Sequence, residues 1–174
     1  DELGAAQPPG DPRAIYFAGT PEFPSQLDPG TPAEAYNGKG WSTLGDVGYV
    51  HKDGYLYLTD RKAHMIISGG VNIYPQEAEN LLITHPKVAD VAVIGVPNDD
   101  FGEEVKAVVQ PVAMALAGPD LAAELIAFCR AELADVKCPR SVDFAAELPR
   151  HPTGKLYKWL IRDRVWANRA SKLV

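Results

Sequence analysis

The chain contains few cysteines and histidines, carries no excess of basic charge and has no long apolar run. Its two cysteines and four histidines have neither the spacing of a metal site nor that of a disulfide framework. A formal net charge of -6 argues against a nucleic-acid partner, because phosphates attract a basic surface. No stretch approaches the roughly 20 apolar residues that span a bilayer, and the opening residues lack a signal-peptide pattern. We therefore expect no resident metal, no nucleic-acid partner and no transmembrane segment.

The bulk composition is that of a soluble globular protein. Hydrophobic residues make up 46% and charged residues 23% of the 174 residues, which is ordinary for such proteins and enough for a sizeable core. Cys129 falls on an apolar helical face and is predicted to be a reduced core residue, which favours a cytoplasmic location. The sequence starts at Asp1 in a stretch rich in glycine and proline. We interpret it as a fragment of a longer protein.

Residues 60–75 are the stretch around which the rest is organised. A charged start is followed by a short apolar run, the paired glycines Gly69 and Gly70, and a helix start at Pro75. Paired glycines adopt backbone angles closed to other residues and let a ligand approach the main chain closely. Proline is tolerated in the first turn of a helix, and the following carboxylates suit the helix dipole. The stretch is therefore either a backbone-lined binding site or a tight turn between two strands.

The region before this stretch is rich in predicted strands. Residues 14–18 are predicted to form one strand, and residues 20–40 form a long, irregular segment of the kind that usually serves a function or packs on another part of the protein. Asp53 and Gly54 separate two aromatic, β-prone runs, which is a strong signal of a β-hairpin.

The region after it alternates helices and strands. The periodicity and the positions of proline and glycine predict helices at 75–83, 120–133 and 156–167, and strands at 88–96, 104–112 and 141–144. Asp120 is predicted to cap the second helix, and the strand at 88–96 is apolar enough to be covered on both faces.

The predicted fold class is α+β, a small C-terminal domain with a short mixed sheet flanked by helices. It is preceded by a β-rich remnant of a larger domain. We place the end of that N-terminal domain at 1–60, a hinge at 61–63 and the mobile C-terminal domain at 64–174.

Two sets of polar residues are candidates for chemistry. Asp46 and Arg61 flank the predicted hairpin, where a carboxylate and a guanidinium suit a ribose diol, although a salt bridge that braces the hairpin is the commoner meaning. Lys155 follows Thr153 and Gly154 at a helix start, where a lysine can reach a phosphate or carboxylate oxygen. The second glycine of a phosphate-binding P-loop is missing, and taken alone a lysine at this position is more commonly a solvated helix-start residue.

Four motifs occur in a fixed order. They are Trp-Ser-Thr-Leu-Gly-Asp at 41–46, Asp-Arg at 60–61, Ile-Ser-Gly-Gly-Val-Asn-Ile-Tyr-Pro-Gln-Glu at 67–77 and Leu-Pro-Arg-His-Pro-Thr-Gly-Lys-Leu at 148–156. In this order the chain resembles the AMP-forming adenylating enzymes, and among them the acyl-CoA synthetases, or fatty acid–CoA ligases. The resemblance covers nearly the whole chain.

The resemblance implies an acid–thiol ligase that works in two half-reactions. A carboxylic acid, fatty acids first among them, attacks Mg-ATP to give acyl-AMP, and CoA then displaces AMP. Family members have a large N-terminal domain and a small C-terminal domain that rotates about a hinge between the two steps. The resemblance thus implies ATP/AMP and CoA as cofactors, and the missing N-terminal domain as a partner of this chain. The Mg²⁺ site, the phosphate loop, the adenine site and the acyl pocket are expected upstream of Asp1.

On the nucleotide side, the resemblance implies that Asp46 and Arg61 hold the hydroxyls of the AMP ribose. Lys155 matches the catalytic lysine of the adenylation step. Leu44 stands where relatives often have threonine.

On the CoA side, the resemblance implies that Gly69 and Gly70 line the pantetheine tunnel and that Phe101 lies against CoA. Lys62 and Ala63 match the hinge. Ala63 replaces the aspartate or lysine that is common there, which removes a charged pivot.

Two alternatives stay open at this stage. One is an adenylating ligase that loads a carrier protein instead of CoA, and the other is a non-catalytic binding module that retains the fold. Aliphatic and aromatic acids are both open as substrates. The fragment alone is predicted to be inactive, because it supplies only one side of the site.

Overall fold

The computed structural model describes residue 10, residues 12–18 and residues 36–168, with side chains to 166. The chain divides into two compact units, Asp1–Ala63 and His64–Val174. Much of the irregular 20–40 segment lies outside the described residues. No helix in the described part of the chain is long and apolar enough to cross a membrane.

The first unit contains a three-stranded antiparallel sheet. Its strands are β1 (Arg13–Ala14), β2 (Asp46–Val50) and β3 (Leu56–Arg61), in the order β1-β2-β3. The predicted hairpin is confirmed, since β2 and β3 pair around a turn in which Gly54 has φ +87°. The strand predicted at 14–18 is wrong in extent. The segment that pairs with it turns at Gly45, just before β2, where φ is +80°. On the N-terminal side of Gly45, the pairing continues only as an isolated bridge between Phe17 and Ser42.

The second unit is built on a mixed sheet, as predicted. The strands are β4 (Ile66–Ser68), β5 (Val71–Ile73), β6 (Val88–Asn98), β7 (Gly102–Pro111) and β8 (Ser141–Phe144). Antiparallel pairs give the order β5-β4-β7-β6. Strand β4 pairs with β7 only at Gly102, and β8 runs parallel to β7 further along it, from Lys106 to Val109. Strand β6 therefore lies at one edge of the sheet.

Three helices cover this sheet, namely α1 (Pro75–Leu82), α2 (Pro119–Glu132) and α3 (Lys158–Asn168). Their existence and approximate bounds are confirmed, but two details were wrong. Gly118, and not Asp120, is the N-cap of α2, because Pro119 takes the first helical position. Helix α3 begins two residues late, because Leu156 is held in a β-bridge with Arg150.

The core lies on both faces of the sheet, as the apolar strand at 88–96 predicts. Val91 and Val93 of β6 face the cluster that contains α1 and α2, whereas Ala92 and Ile94 face the cluster that contains Ile161 of α3. Alternate side chains of a strand point to opposite faces, so β6 contributes to both layers.

The inner face of α2 is formed by Leu121, Leu125 and Cys129, all buried, so the core position predicted for Cys129 is confirmed. Cys129 is a free, buried thiol. Ile126, the residue after Leu125, lies outside this face and lines an open surface depression.

Candidate functional site

Asp46 and Arg61 lie opposite each other at the ends of β2 and β3. Arg61 Nε is 3.3 Å from Asp46 Oδ1. The left-handed backbone of Gly45 turns the chain into β2, and the Gly45 carbonyl accepts the Lys62 N–H at 2.8 Å. The ion pair that we considered as the alternative is therefore present. Ribose binding by the same two side chains stays a prediction.

Gly69 and Gly70 form the two-residue turn between β4 and β5. Their φ angles are +55° and +80°, and a turn with two positive φ angles matches the twist of an antiparallel hairpin. The Phe101 carbonyl accepts the Gly69 N–H at 2.9 Å. A Cβ at Gly69 would lie 3.1 Å from Phe101 Cδ1, so the ring lies directly against the glycine backbone.

The structure therefore brings together three predicted residues that are separated in sequence by α1 and β6. It also adds Arg140, whose guanidinium carbon lies 4.7 Å from the centroid of the Phe101 ring, a cation–π distance. We did not single out Arg140 from the sequence, because a basic residue after a proline carries no signal of its own. Together, Gly69, Gly70, Phe101 and Arg140 are called the glycine-turn site.

Lys155 ends a tight turn that is closed by a β-bridge between Arg150 and Leu156. The His151 N–H donates to the Lys155 carbonyl, and the Gly154 N–H donates to the His151 carbonyl, both at 2.7 Å. Gly154 has φ +88°, and the Lys155 side chain is exposed. We call residues 150–156 the lysine turn.

The lysine turn is attached to the beginning of β6. Arg150 donates to Asp90 Oδ2 from Nε at 2.9 Å and from Nη2 at 2.6 Å. The glycine-turn site lies beyond the other end of the same strand, because Phe101 follows Asn98, the last residue of β6. From Asp90 to Asn98 is eight residue steps, which at about 3.3 Å per residue gives about 26 Å.

The predicted hinge residues lie at the boundary between the two units. Lys62 and Ala63 belong to a short 3-10 turn, Lys62–His64, and the units divide after Ala63. Movement at this boundary stays a prediction, as does the assignment of the first unit to a larger domain.

The two thiols, Cys129 and Cys138, are free and buried. Burial is the main cause that raises the pKa of Cys129 from 9.0 to about 11. The pKa of Cys138 is also raised, chiefly by burial. A thiolate, not a thiol, is the reactive species.

A family model described as the AMP-binding enzyme C-terminal domain matches residues 77–155. Three curated proteins are similar to the chain. A 3-[(3aS,4S,7aS)-7a-methyl-1,5-dioxo-octahydro-1H-inden-4-yl]propanoyl:CoA ligase of Rhodococcus jostii is 44% identical, with 78% of this chain and 26% of that protein covered. The long-chain-fatty-acid–CoA ligase FadD13 of Mycobacterium tuberculosis is 42% identical, with coverage of 72% and 24%. The fatty acid–[acyl-carrier-protein] ligase ScoC of Streptomyces coeruleorubidus is 39% identical, with coverage of 77% and 25%.

The fold is also found among solved structures. The crystal structure of the ATP-bound RpMatB-BxBclM chimera B1 matches with a TM-score of 0.76 and 34% identity, over 91% of this chain and 31% of that one. The chain thus spans about a quarter of the length of these curated relatives.

Proposed function

We propose that the complete protein joins a carboxylic acid to CoA. The premise is that this chain belongs to the adenylate-forming enzymes and carries the C-terminal part of an acyl-CoA synthetase. In the first half-reaction a carboxylate oxygen bonds to the α-phosphorus of Mg-ATP, and pyrophosphate leaves. In the second, the thiol sulfur of CoA bonds to the acyl carbon, the thiol proton is lost and AMP leaves. Fatty acids are the first substrate class to test, because FadD13 and ScoC are named for them.

The observation that carries this proposal is the separation of two unlike sites along β6. The lysine turn presents an exposed cation, which suits the negative charge that develops on phosphate oxygens during adenylation. The glycine-turn site presents bare backbone beside an aromatic ring, which suits a thin pantetheine chain. Because the two sites lie at opposite ends of a strand segment about 26 Å long, their separation favours an arrangement in which each site faces the reaction centre in turn. We therefore propose that this unit rotates at Lys62 and Ala63 between the half-reactions.

The nucleotide side of the proposal rests on Asp46 and Arg61. Their ion pair holds an acceptor carboxylate and a donor guanidinium at the ends of two paired strands. A ribose has two adjacent hydroxyls, each of which can donate and accept a hydrogen bond. We propose that these two side chains bind the ribose of ATP and of the acyl-adenylate.

The acceptor is proposed to be CoA. A carrier protein remains the second candidate, because ScoC is named for one. Both acceptors present the same phosphopantetheine thiol, but CoA adds a nucleotide with phosphates. The Arg140 guanidinium over the Phe101 ring offers a positive charge and an aromatic surface at one place, and this combination favours the nucleotide of CoA.

The test uses the full-length enzyme and measures each half-reaction separately. Lys155→Ala should lower acid-dependent exchange of pyrophosphate into ATP by at least about 100-fold, the usual cost of removing one donor to a developing charge. Thioester formation from supplied acyl-AMP should change by less than about threefold. Lys52→Ala, which removes an exposed lysine from the β2–β3 turn, is the matched control and should alter neither rate.

Equal losses in both half-reactions would contradict the role given to Lys155. Comparing CoA with a phosphopantetheinylated carrier protein decides the acceptor. A full-length enzyme with no exchange across a panel of aliphatic and aromatic acids would instead favour a non-catalytic binding module. The 174-residue chain alone should release no pyrophosphate.

A further inference from the structure

Arg150 links the lysine turn to the sheet, and none of the roles predicted from the sequence motifs falls on it. We propose that Arg150 is a positioning residue for adenylation, which fixes the peptide that carries Lys155 through a bridge from Asp90 to the Gly154 carbonyl. The inference rests on the proposed function and deepens it.

The guanidinium of Arg150 makes contacts with all three of its nitrogens. Nε and Nη2 donate to Asp90 Oδ2, at 2.9 Å and 2.6 Å, and Nη1 donates to the Gly154 carbonyl at 2.6 Å. Hydrogen bonds with an ionised partner are shorter and stronger than neutral ones, and the planar guanidinium holds several in a fixed geometry. Lysine, with a single ammonium on a flexible stem, is a poor substitute for such a bridge.

The carboxylate of Asp90 is held in place on the sheet and anchors this bridge. The residue belongs to β6, and its carboxylate is mostly buried, with 19% of the side chain exposed. Its second oxygen, Oδ1, accepts the Val91 N–H at 2.9 Å. Because one oxygen is bound to the strand and the other to Arg150, the carboxylate transmits the position of β6 to the guanidinium.

The Gly154 carbonyl connects the Arg150 guanidinium to Lys155. The carbonyl belongs to the peptide group that joins Gly154 to Lys155, so holding it orients the plane from which the lysine projects. Gly154 lies in the left-handed region, and glycine resists rotation there less than other residues do. The internal hydrogen bonds of the turn close it on itself, whereas Arg150 attaches it to the sheet.

The structural reason for such a bridge is that Lys155 has a long, flexible side chain. A cation stabilises developing charge best when it is already in place, since no reorganisation is then needed during the reaction. Without the bridge, the lysine turn would still form but its orientation relative to β6 would vary. Adenylation should therefore slow, and steps that do not use Lys155 should not.

The test is a double-mutant cycle in the full-length enzyme, with pyrophosphate exchange and thioester formation measured separately. Arg150→Ala should lower exchange by about 10-fold and leave thioester formation from acyl-AMP within about twofold. In the Lys155→Ala background, Arg150→Ala should have no further effect on exchange, because the residue acts through the lysine. Arg150→Lys should fall between wild type and Arg150→Ala. Lys87→Ala, which breaks another surface ion pair, is the control and should change neither rate.

The inference is overturned if Arg150→Ala lowers exchange by the same factor with and without Lys155, or if it slows thioester formation equally. Either result would indicate a general structural role. Hydrogen exchange at the His151 and Gly154 amides gives an independent readout and should become faster in Arg150→Ala. An inactive wild-type enzyme would refute the proposed function together with this inference, whereas an active one with additive losses would refute the inference alone.

Discussion

A buried ion pair joins α1 to the start of α3, and it offers a sharp test of the core. Lys158 Nζ lies 2.8 Å from Glu79 Oε1, and the two side chains are 9% and 8% exposed. Glu79 Oε1 also accepts the N–H of Val93 on β6 at 2.7 Å. Among the described residues, the ammonium finds no partner with hydrogen-bond geometry, so the pair is a close charge contact and not a well-aligned hydrogen bond.

Removing one partner should therefore be far more costly than removing both charges. Lys158→Met leaves the Glu79 carboxylate buried without its cation, which typically costs about 3–5 kcal/mol. Glu79→Gln added to Lys158→Met removes the remaining charge and keeps a side-chain oxygen for the Val93 N–H. Because the native pair is imperfectly aligned, its attraction offsets only part of the cost of burying it. The double variant should recover most of the loss, to within about 1 kcal/mol of wild type.

The measurement is urea denaturation of the chain, followed by far-ultraviolet ellipticity, because α1, α2 and α3 all lie in the unit that contains the pair. Lys87→Met, which breaks an exposed, solvent-screened pair with Glu124, is the control and should leave the denaturation midpoint nearly unchanged. A loss below about 1 kcal/mol for Lys158→Met, or a double variant no more stable than the single one, would refute this reasoning.

Three further predictions follow from the sites and the core. Gly69→Ala and Gly70→Ala both place alanine in a left-handed conformation, at the same cost, but only a Cβ at Gly69 meets the Phe101 ring. Gly69→Ala should therefore slow thioester formation more than Gly70→Ala does, and equal effects would contradict a role for the ring. Asp46→Asn in the full-length enzyme should raise the KM for ATP by about 10-fold if the carboxylate binds the ribose, and an unchanged KM would leave it as a hairpin brace. Because burial raises the pKa of Cys129 from 9.0 to about 11, the thiol ionises at lower pH in the unfolded chain than in the folded one. The free energy of unfolding should therefore fall as pH rises across that window. In pH-dependent denaturation Cys129→Ala should flatten this fall, and an unchanged slope would assign the fall to other groups.

Local signals in the sequence predicted the elements of the fold. Asp53 and Gly54 predicted the hairpin because few residues other than glycine tolerate the backbone of that turn. Pro75 predicted the start of α1 because its fixed φ suits a first helical turn. The errors at Asp120 and at the start of α3 have the same origin, since a neighbouring proline in one case and a β-bridge in the other decided between two nearly equal boundaries.

Contacts between distant parts of the chain were not predicted. Asp90 and Arg150 are 60 positions apart, and no periodicity relates them. Glu79 was interpreted as one of several carboxylates that suit the helix dipole, but it points inward to Lys158 and Val93. A carboxylate shortly after a helix start looks the same in the sequence whether it is exposed or buried. Only the packing of α3 against the edge of the sheet shows that Glu79 is buried.

These distant contacts bear on how one small unit could serve two reactions. The lysine turn is attached to β6 by the bridge from its own Arg150 to Asp90, and the helix that follows is attached through Lys158 to Glu79 of α1, which accepts the Val93 N–H of β6. At the other end, the Gly69 N–H is bound by the Phe101 carbonyl at the turn that leaves β6. Packed cores resist continuous deformation, so a unit with both sites fixed to one strand is expected to move as a rigid body. Rotation at Lys62 and Ala63 would then exchange one site for the other without remodelling either, which is why we expect variants in one site to leave the other half-reaction intact.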